Sequence, residues 1–348
     1  MALKNIKEID KNMEELKSDS LLLPKWIDID SNIINNYLLG KAINNGSFNR
    51  LNDEFISDNL ETLKLHPAGE NLIFETNSKF IKIKASLTGA AYMSHMTAVG
   101  TIGFSLYFLD KNKWRFLSSS KINQKEYELD LLKNIKGNHT YRLYFPLYQV
   151  LNNVSIGIEK DSTLNFIKPN QESLLIYGTS ISQGGCATRP GMDYGSILGR
   201  MNNLDVINLG FSGSCKLEPK ILDIINLAID NKNVKYLIFE LEANSPSYDH
   251  LSNRFSYFLE NLHNKDNLKI YLISHFDEGM NYIDKNTSKY RKGFKNIQKE
   301  LSRKYNINFI DGEKLIKNLD CDGTVDGVHL TDLGFYEVAK RLSKIIQK

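Results

Sequence analysis

The sequence predicts two architectures in one chain: an all-β antiparallel sandwich, then an α/β unit with a parallel sheet covered by helices on both faces. Three observations predict this. Between residues 71 and 159, short runs alternate apolar and polar residues, the period of strands with one buried face. Beyond Lys168-Pro169-Asn170, short apolar strands alternate with helical stretches, the order that builds a parallel sheet. The length of 348 residues suits about two domains at roughly 150 residues each.

The elements follow in order. Residues 4–18 read as a short helix, and 29–43 are ambiguous between helix and strand. The sandwich strands are NLIFETN from Asn71, KFIKIKASL, GFSLYFLD, KWRFLSS, KEYELDLL, YRLYFPLY and NVSIGIE, separated by Gly, Asn or charged turns. Lys111-Asn112-Lys113 is expected to be a hairpin, and Lys133 to Gly137 a turn. The boundary is placed near residue 168, giving an accessory sandwich with a short leading segment over 1–168 and a catalytic unit over 169–348. In the second unit the expected strands are 173–178, 206–210, 235–242, 268–274 and 307–312. The expected helices are Pro219 to Asp230, Asp249 to His263, Ser288 to Tyr305, and Thr331 to Gln347 with Thr331 as the cap.

Composition excludes several classes. Hydrophobic residues make up 41% and charged residues 24%, an ordinary globular balance. The 44 basic and 41 acidic residues are scattered, so a nucleic-acid partner has no electrostatic footprint. Cys186, Cys215 and Cys321 are too few for a disulfide framework and lack the spacing of a structural zinc site. The N-terminal segment carries charges every few residues, unlike a signal peptide, and no run of about 18 apolar residues offers a membrane span. The expected location is the cytoplasm, with reduced thiols and no membrane partner.

In a parallel sheet, ligands bind beyond the carboxyl ends of the strands. Gly178-Thr179-Ser180 follows the first strand, with Gly184-Gly185 close behind. The second strand runs into Gly210-Phe211-Ser212-Gly213, the third into Glu242-Ala243-Asn244-Ser245-Pro246, and Asp326-Gly327-Val328-His329 precedes the last helix. A hydroxyl, a small backbone-donor loop, a side-chain amide and a carboxylate three residues before an imidazole are the parts of an acyl-transfer site. Each part alone has a plainer reading: a turn, an Asx turn at Asn244, a surface pair at Asp326 and His329. The glycines lack the Lys that completes a phosphate loop. Their conjunction, each part after its strand, carries the reading.

The conjunction resembles the SGNH (GDSL-type) hydrolases, whose blocks carry a nucleophilic Ser, an oxyanion-hole Gly, an oxyanion-hole Asn and an Asp-x-x-His. The stretch Tyr177 to Gly191 and Ile207 to Gly213 is similar to one subfamily, whose members carry an N-terminal sandwich with a Gly-x-Asp-Leu-Tyr motif. Here Gly103-Phe104-Ser105-Leu106-Tyr107 stands at that place, with Ser105 for the Asp. Phe48-Asn49-Arg50-Leu51, His66-Pro67-Ala68-Gly69 and Pro146-Leu147-Tyr148 also fit. Thr179 and Ser245 stand where the family commonly has Asp. The resemblance covers residues 45–348 and implies a flavodoxin-like sheet after a jelly-roll-like sandwich. It also implies catalytic Ser180, Asp326 and His329, and an oxyanion hole of Ser180, Gly213 and Asn244. The activity it implies is hydrolysis of carboxylic esters, short-chain and acetyl-like, on a small-molecule or carbohydrate alcohol.

Neither a metal nor an organic cofactor is needed for that chemistry. Ser182 and Ser212 are the rival nucleophiles. Arg189 and His275 are weaker candidates for substrate contact; Arg189 is also a candidate partner of Asp193. His95 is read as a loop residue of the sandwich that could line the cleft, and Cys186 as a packing residue. Acyl transfer to an acceptor other than water, and a carbohydrate-binding protein with an unused site, are the competing functions.

Overall fold

A computed structural model describes residues 23–346 apart from 53, 92, 123, 169, 277 and 278. The helix expected over 4–18 lies outside the described residues. The sandwich strands are β1 (Lys25–Asp28), β2 (Leu38–Leu39), β3 (Asn71–Thr76), β4 (Ile81–Leu87), β5 (Ser105–Asp110), β6 (Lys113–Ser119), β7 (Glu126–Leu132), β8 (His139–Tyr144), β9 (Leu151–Ile158) and β10 (Leu164–Phe166). They form two antiparallel sheets, ordered β1-β9-β4-β7 and β10-β3-β8-β5-β6, with β2 beside β3. Alternate residues from both close the interior: Ile81, Ile83, Ala85, Val154 and Ile156 face Leu72, Phe74, Leu106, Tyr141 and Leu143. The hairpin at Lys111-Asn112 has positive φ at both residues (44° and 66°), the turn whose twist matches its strands. The ambiguous segment resolves into a helix, Ser31–Tyr37, capped by Asp30, running directly into β2.

The second body is a parallel sheet of β11 (Ser173–Gly178), β12 (Asp205–Gly210), β13 (Val234–Glu240), β14 (Lys269–Ile273) and β15 (Asn308–Ile310) in the order β12-β11-β13-β14-β15. This is the flavodoxin-like 2-1-3-4-5 order, with a switch point at β11. Both faces are apolar because both are covered. Leu175, Tyr177, Leu237 and Phe239 pack under helices Pro219–Asn231 and Tyr248–Glu260. Leu174, Ile176 and Ile238 pack under Tyr194–Asn202 and Asp332–Ile346. The helix Tyr194–Asn202, absent from the sequence expectation, starts at Asp193, whose carboxylate accepts the Ser196 N–H at 2.8 Å.

The bodies interpenetrate. Ala42, Ile43, Leu51 and Leu60, from the first part of the chain, belong to the core of the parallel half. Ala68, Met96, Leu147 and Tyr148 pack on its other face. Arg50 is fully buried; it donates to the carbonyls of Leu63, His66, Asn208 and Gly210 and lies over the Phe211 ring. It thus ties residues 50–66 to the end of β12. Among the described residues no helix is long and apolar enough to cross a membrane.

Candidate active site

Ser180 opens the helical turn Ser180–Gln183 directly after β11, and Thr179 caps it by accepting the Ile181 N–H. Gly184 turns the chain out again at φ 102°. The turn sits hard against β12: a Cβ on Gly210 would lie 2.1 Å from the Gln183 nitrogen, so only glycine allows the approach. The Ser180 Oγ lies 2.9 Å from His329 Nε2. His329 Nδ1 lies 2.7 Å from Asp326 Oδ2, and the His329 backbone N–H donates to Asp326 Oδ1 at 2.8 Å. Three residues of tight turn thus bring both side chains to one side of the loop. Partial burial pushes the Asp326 carboxyl up, but the backbone and ring N–H groups of His329 and the Val328 N–H outweigh it and hold it below the usual carboxylate range. The chain therefore brings Ser180, His329 and Asp326 together in one hydrogen-bonded row.

Gly213 lies in the loop after β12, in the left-handed region at φ 67°, and a Cβ there would meet nothing within 4 Å. Asn244 ends a short 3-10 turn (Glu242–Asn244) after β13. Its Oδ1 accepts the Cys215 N–H at 3.2 Å, across 29 residues, rather than capping the local turn. That bond fixes the amide and leaves its Nδ2 without a protein acceptor among the described residues. Ser245 instead closes the turn, donating to Leu241 O at 3.0 Å.

The Thr179 position, where Asp is common in the resembling family, is explained by a carboxylate on the neighbouring strand. Glu240, buried at the end of β13, accepts the Thr179 N–H and hydroxyl and the Ser182 hydroxyl on one oxygen, at 3.0, 2.7 and 3.0 Å. Burial pushes its pKa up to about 7. Tyr194 OH lies 2.7 Å from Ser182 Oγ, so the rival nucleophile Ser182 is buried within a hydrogen-bonded chain. Ser212 donates its backbone N–H to Gln183 Oε1 at 2.9 Å, bracing the same turn.

Other expectations change. Arg189 does not pair with Asp193, which caps a helix. Its guanidinium stacks 3.6 Å from the Phe116 ring centroid and donates to Tyr107 OH at 2.5 Å, so it joins the halves through the sandwich aromatics. His275 is turned inward: its backbone N–H donates to Glu242 at 3.2 Å, and burial lowers its ring pKa to about 3, with Arg291 and Lys295 nearby. Arg189 is thus held by the sandwich aromatics, while the His275 ring nitrogen Nε2 lies buried without a partner among the described residues. The sandwich half places two side chains beside the row: His95, whose ring centroid is 5.4 Å from that of His329, and Tyr148, whose hydroxyl donates to Ser180 O at 3.4 Å. Cys186, in the nucleophile loop, adopts φ 71° and is buried beside them. The Pro-Leu-Tyr motif hinted at Tyr148; only the placement of His95 on a loop hinted at the other.

A row of serine, imidazole and carboxylate at the carboxyl edge of a 2-1-3-4-5 sheet defines a serine hydrolase class. The chain belongs to the GDSL-like lipase/acylhydrolase family, which matches residues 171–347, and is an ester-bond hydrolase. Residues 24–164 match a second family, described as the N-terminus of esterases of the SGNH hydrolase type. Among solved structures, a candidate GDSL-like lipase from Bacteroides ovatus is 27% identical, with a TM-score of 0.82 over 93% of this chain and 98% of that one. A salicylyl-acyltransferase from a tetracycline biosynthetic pathway shares the fold at 14% identity and a TM-score of 0.72, over 93% and 97% of the two chains. An acetyl xylan esterase from the rumen bacterium Butyrivibrio proteoclasticus shares it at 12% identity and 0.56, over 93% and 98%. No curated protein matches the chain.

Proposed function

We propose that the protein is a serine esterase that removes short acyl groups, acetyl foremost, from a carbohydrate or similar polyol. The observation that carries the catalytic reading is the row Ser180 Oγ, His329 Nε2 at 2.9 Å, and Asp326 Oδ2 at 2.7 Å from His329 Nδ1. His329 takes the proton from Ser180 as the hydroxyl oxygen attacks the ester carbonyl. Asp326 fixes the imidazole with its proton on Nδ1 and stabilises the cation that forms. The backbone N–H groups of Ser180 and Gly213 and the Asn244 amide receive the developing oxyanion. His329 then gives its proton to the departing alcohol oxygen, and an acyl-Ser180 ester remains. Water, deprotonated by His329, attacks that ester; the acid leaves and Ser180 recovers its proton. Carbohydrate as the alcohol is supported by the acetyl xylan esterase that shares the two-part fold.

The test is a screen of acetyl, butyryl and longer aryl esters beside acetylated sugars, with Ser180→Ala as control. Ser180→Ala and His329→Ala are each expected to lower kcat by about 10⁶, and the double variant by little more, since such residues act as one unit. A fluorophosphonate is expected on Ser180. Labelling of Ser212 instead, or losses that multiply in the double variant, overturns the assignment.

A further inference from the structure

We propose that His95, Cys186 and His329 form a binding site for a zinc-class transition-metal ion at the mouth of the active site, and that its occupation switches the esterase off. The binding half stands on the residues alone; the switching half rests on His329 being the base. One ligand atom from each of the three residues lies within 4.8 Å of the others. A tetrahedral ion with bonds of about 2.0–2.3 Å holds its ligands roughly 3.3–3.6 Å apart. Each pair must therefore close by at most about 1.5 Å; the exposed His95 side chain can supply this for its two pairs, and a small shift of His329 for the pair with Cys186. Two imidazoles and a thiolate form a borderline-soft donor set, suited to zinc, cobalt(II) or copper and unsuited to magnesium or calcium.

The surroundings favour the same reading. Asp326 on His329 Nδ1 is the carboxylate–histidine arrangement that presents the other ring nitrogen to a metal. That nitrogen, Nε2, is the one hydrogen-bonded to Ser180 Oγ. An ion on it occupies the lone pair that would accept the serine proton, so metal and substrate chemistry exclude each other. Cys186 stands at φ 71°, a conformation rare outside glycine, and its sulfur lies within 4.8 Å of a ring nitrogen of each imidazole. Burial, with Asp326 nearby, pushes the Cys186 thiol up to about 12, so its proton leaves to solvent only as the ion takes the sulfur; both imidazoles bind neutral, and the fourth position stays open to water. The three ligands come from the sandwich half, the nucleophile loop and the last loop, so the site exists only in the assembled molecule.

Cobalt(II) titration of the full chain tests this without an activity readout. One ion per chain should bind, with tetrahedral d–d bands and a thiolate-to-cobalt charge-transfer band that zinc abolishes. Cys186→Ala should lose the charge-transfer band and Cys321→Ala keep it; Cys186→Ser, one atom different, serves if the alanine variant unfolds. His95→Ala should weaken binding about tenfold or more. Ester turnover, scored against each variant's own metal-free rate, should fall with the same half-saturation as the bands rise. Ser180→Ala should still bind cobalt, so a failed triad reading leaves the metal result standing. No charge-transfer band, a band lost in Cys321→Ala, or equal zinc inhibition in Cys186→Ala and the unaltered protein overturns the proposal.

Discussion

Two carboxylates stand on either side of the nucleophile turn, Asp326 in the loop before the last helix and Glu240 at the buried end of β13, and their surroundings push them in opposite directions. Asp326 keeps 38% of its side chain exposed and accepts N–H groups on both oxygens, so its charge is maintained. Glu240 is 3% exposed, and burial drives its pKa up to about 7 although three donors converge on one oxygen. The donors are comparable; the water is not. One carboxylate can answer a transient cation, while the other acts chiefly as an acceptor that shapes the turn holding Ser180.

The sharpest way to break this contrast is Asp326→Ala, expected to lower kcat by about 10⁴ with the fold intact by circular dichroism. Retained kcat would show that the charge is not used. Asn244→Ala comes next, with an expected loss of about 10²–10³ in kcat and little change in KM, the signature of a lost oxyanion donor. Near-normal kcat with a lowered melting temperature would assign Asn244 only to the Cys215 bond. On the buried side, Glu240→Ala strands the Thr179 and Ser182 donors and should cost about 1–3 kcal/mol of stability in denaturant unfolding.

Glu240→Gln tests the smallest effect. The amide oxygen can accept the same three bonds without the charge. Because the folded pKa of Glu240 lies near 7 and its ordinary value is 4.5, the folded chain holds a proton that the unfolded chain has released between those values. Its contribution is therefore most favourable at low pH and declines as pH rises from 4.5 to about 7. Glu240→Gln should flatten that decline in unfolding free energy against pH. Glu70 and Glu242, also pushed up to about 7 by burial, keep part of it.

What the sequence made legible was local. Asp326 and His329 are three residues apart, Ser180 touches the end of its strand, and the periods of 2 and 3.6 separate the two bodies. Strands of two to four residues, such as Leu38–Leu39 and Lys25–Asp28, carry too few alternations to register, and their pairing comes from β3 and β9. Arg189 looked like the partner of Asp193 because they are close in sequence. Its actual partner, Tyr107, lies 82 residues away, and aromatic faces outcompete a carboxylate already committed to a helix end. His95 meets His329 only because the two halves dock, which no local pattern encodes.

The buried Arg50 sets an order of events on the ribosome. Two of its acceptors, the carbonyls of Asn208 and Gly210, are made 158 and 160 residues after it. At ordinary elongation rates of about 5–20 residues per second, the guanidinium waits about 8–32 s for them. During that interval the sandwich strands can pair, but residues 50–66 must keep their cation in water. Synthesis of β12 completes the set of acceptors that gives that segment its place.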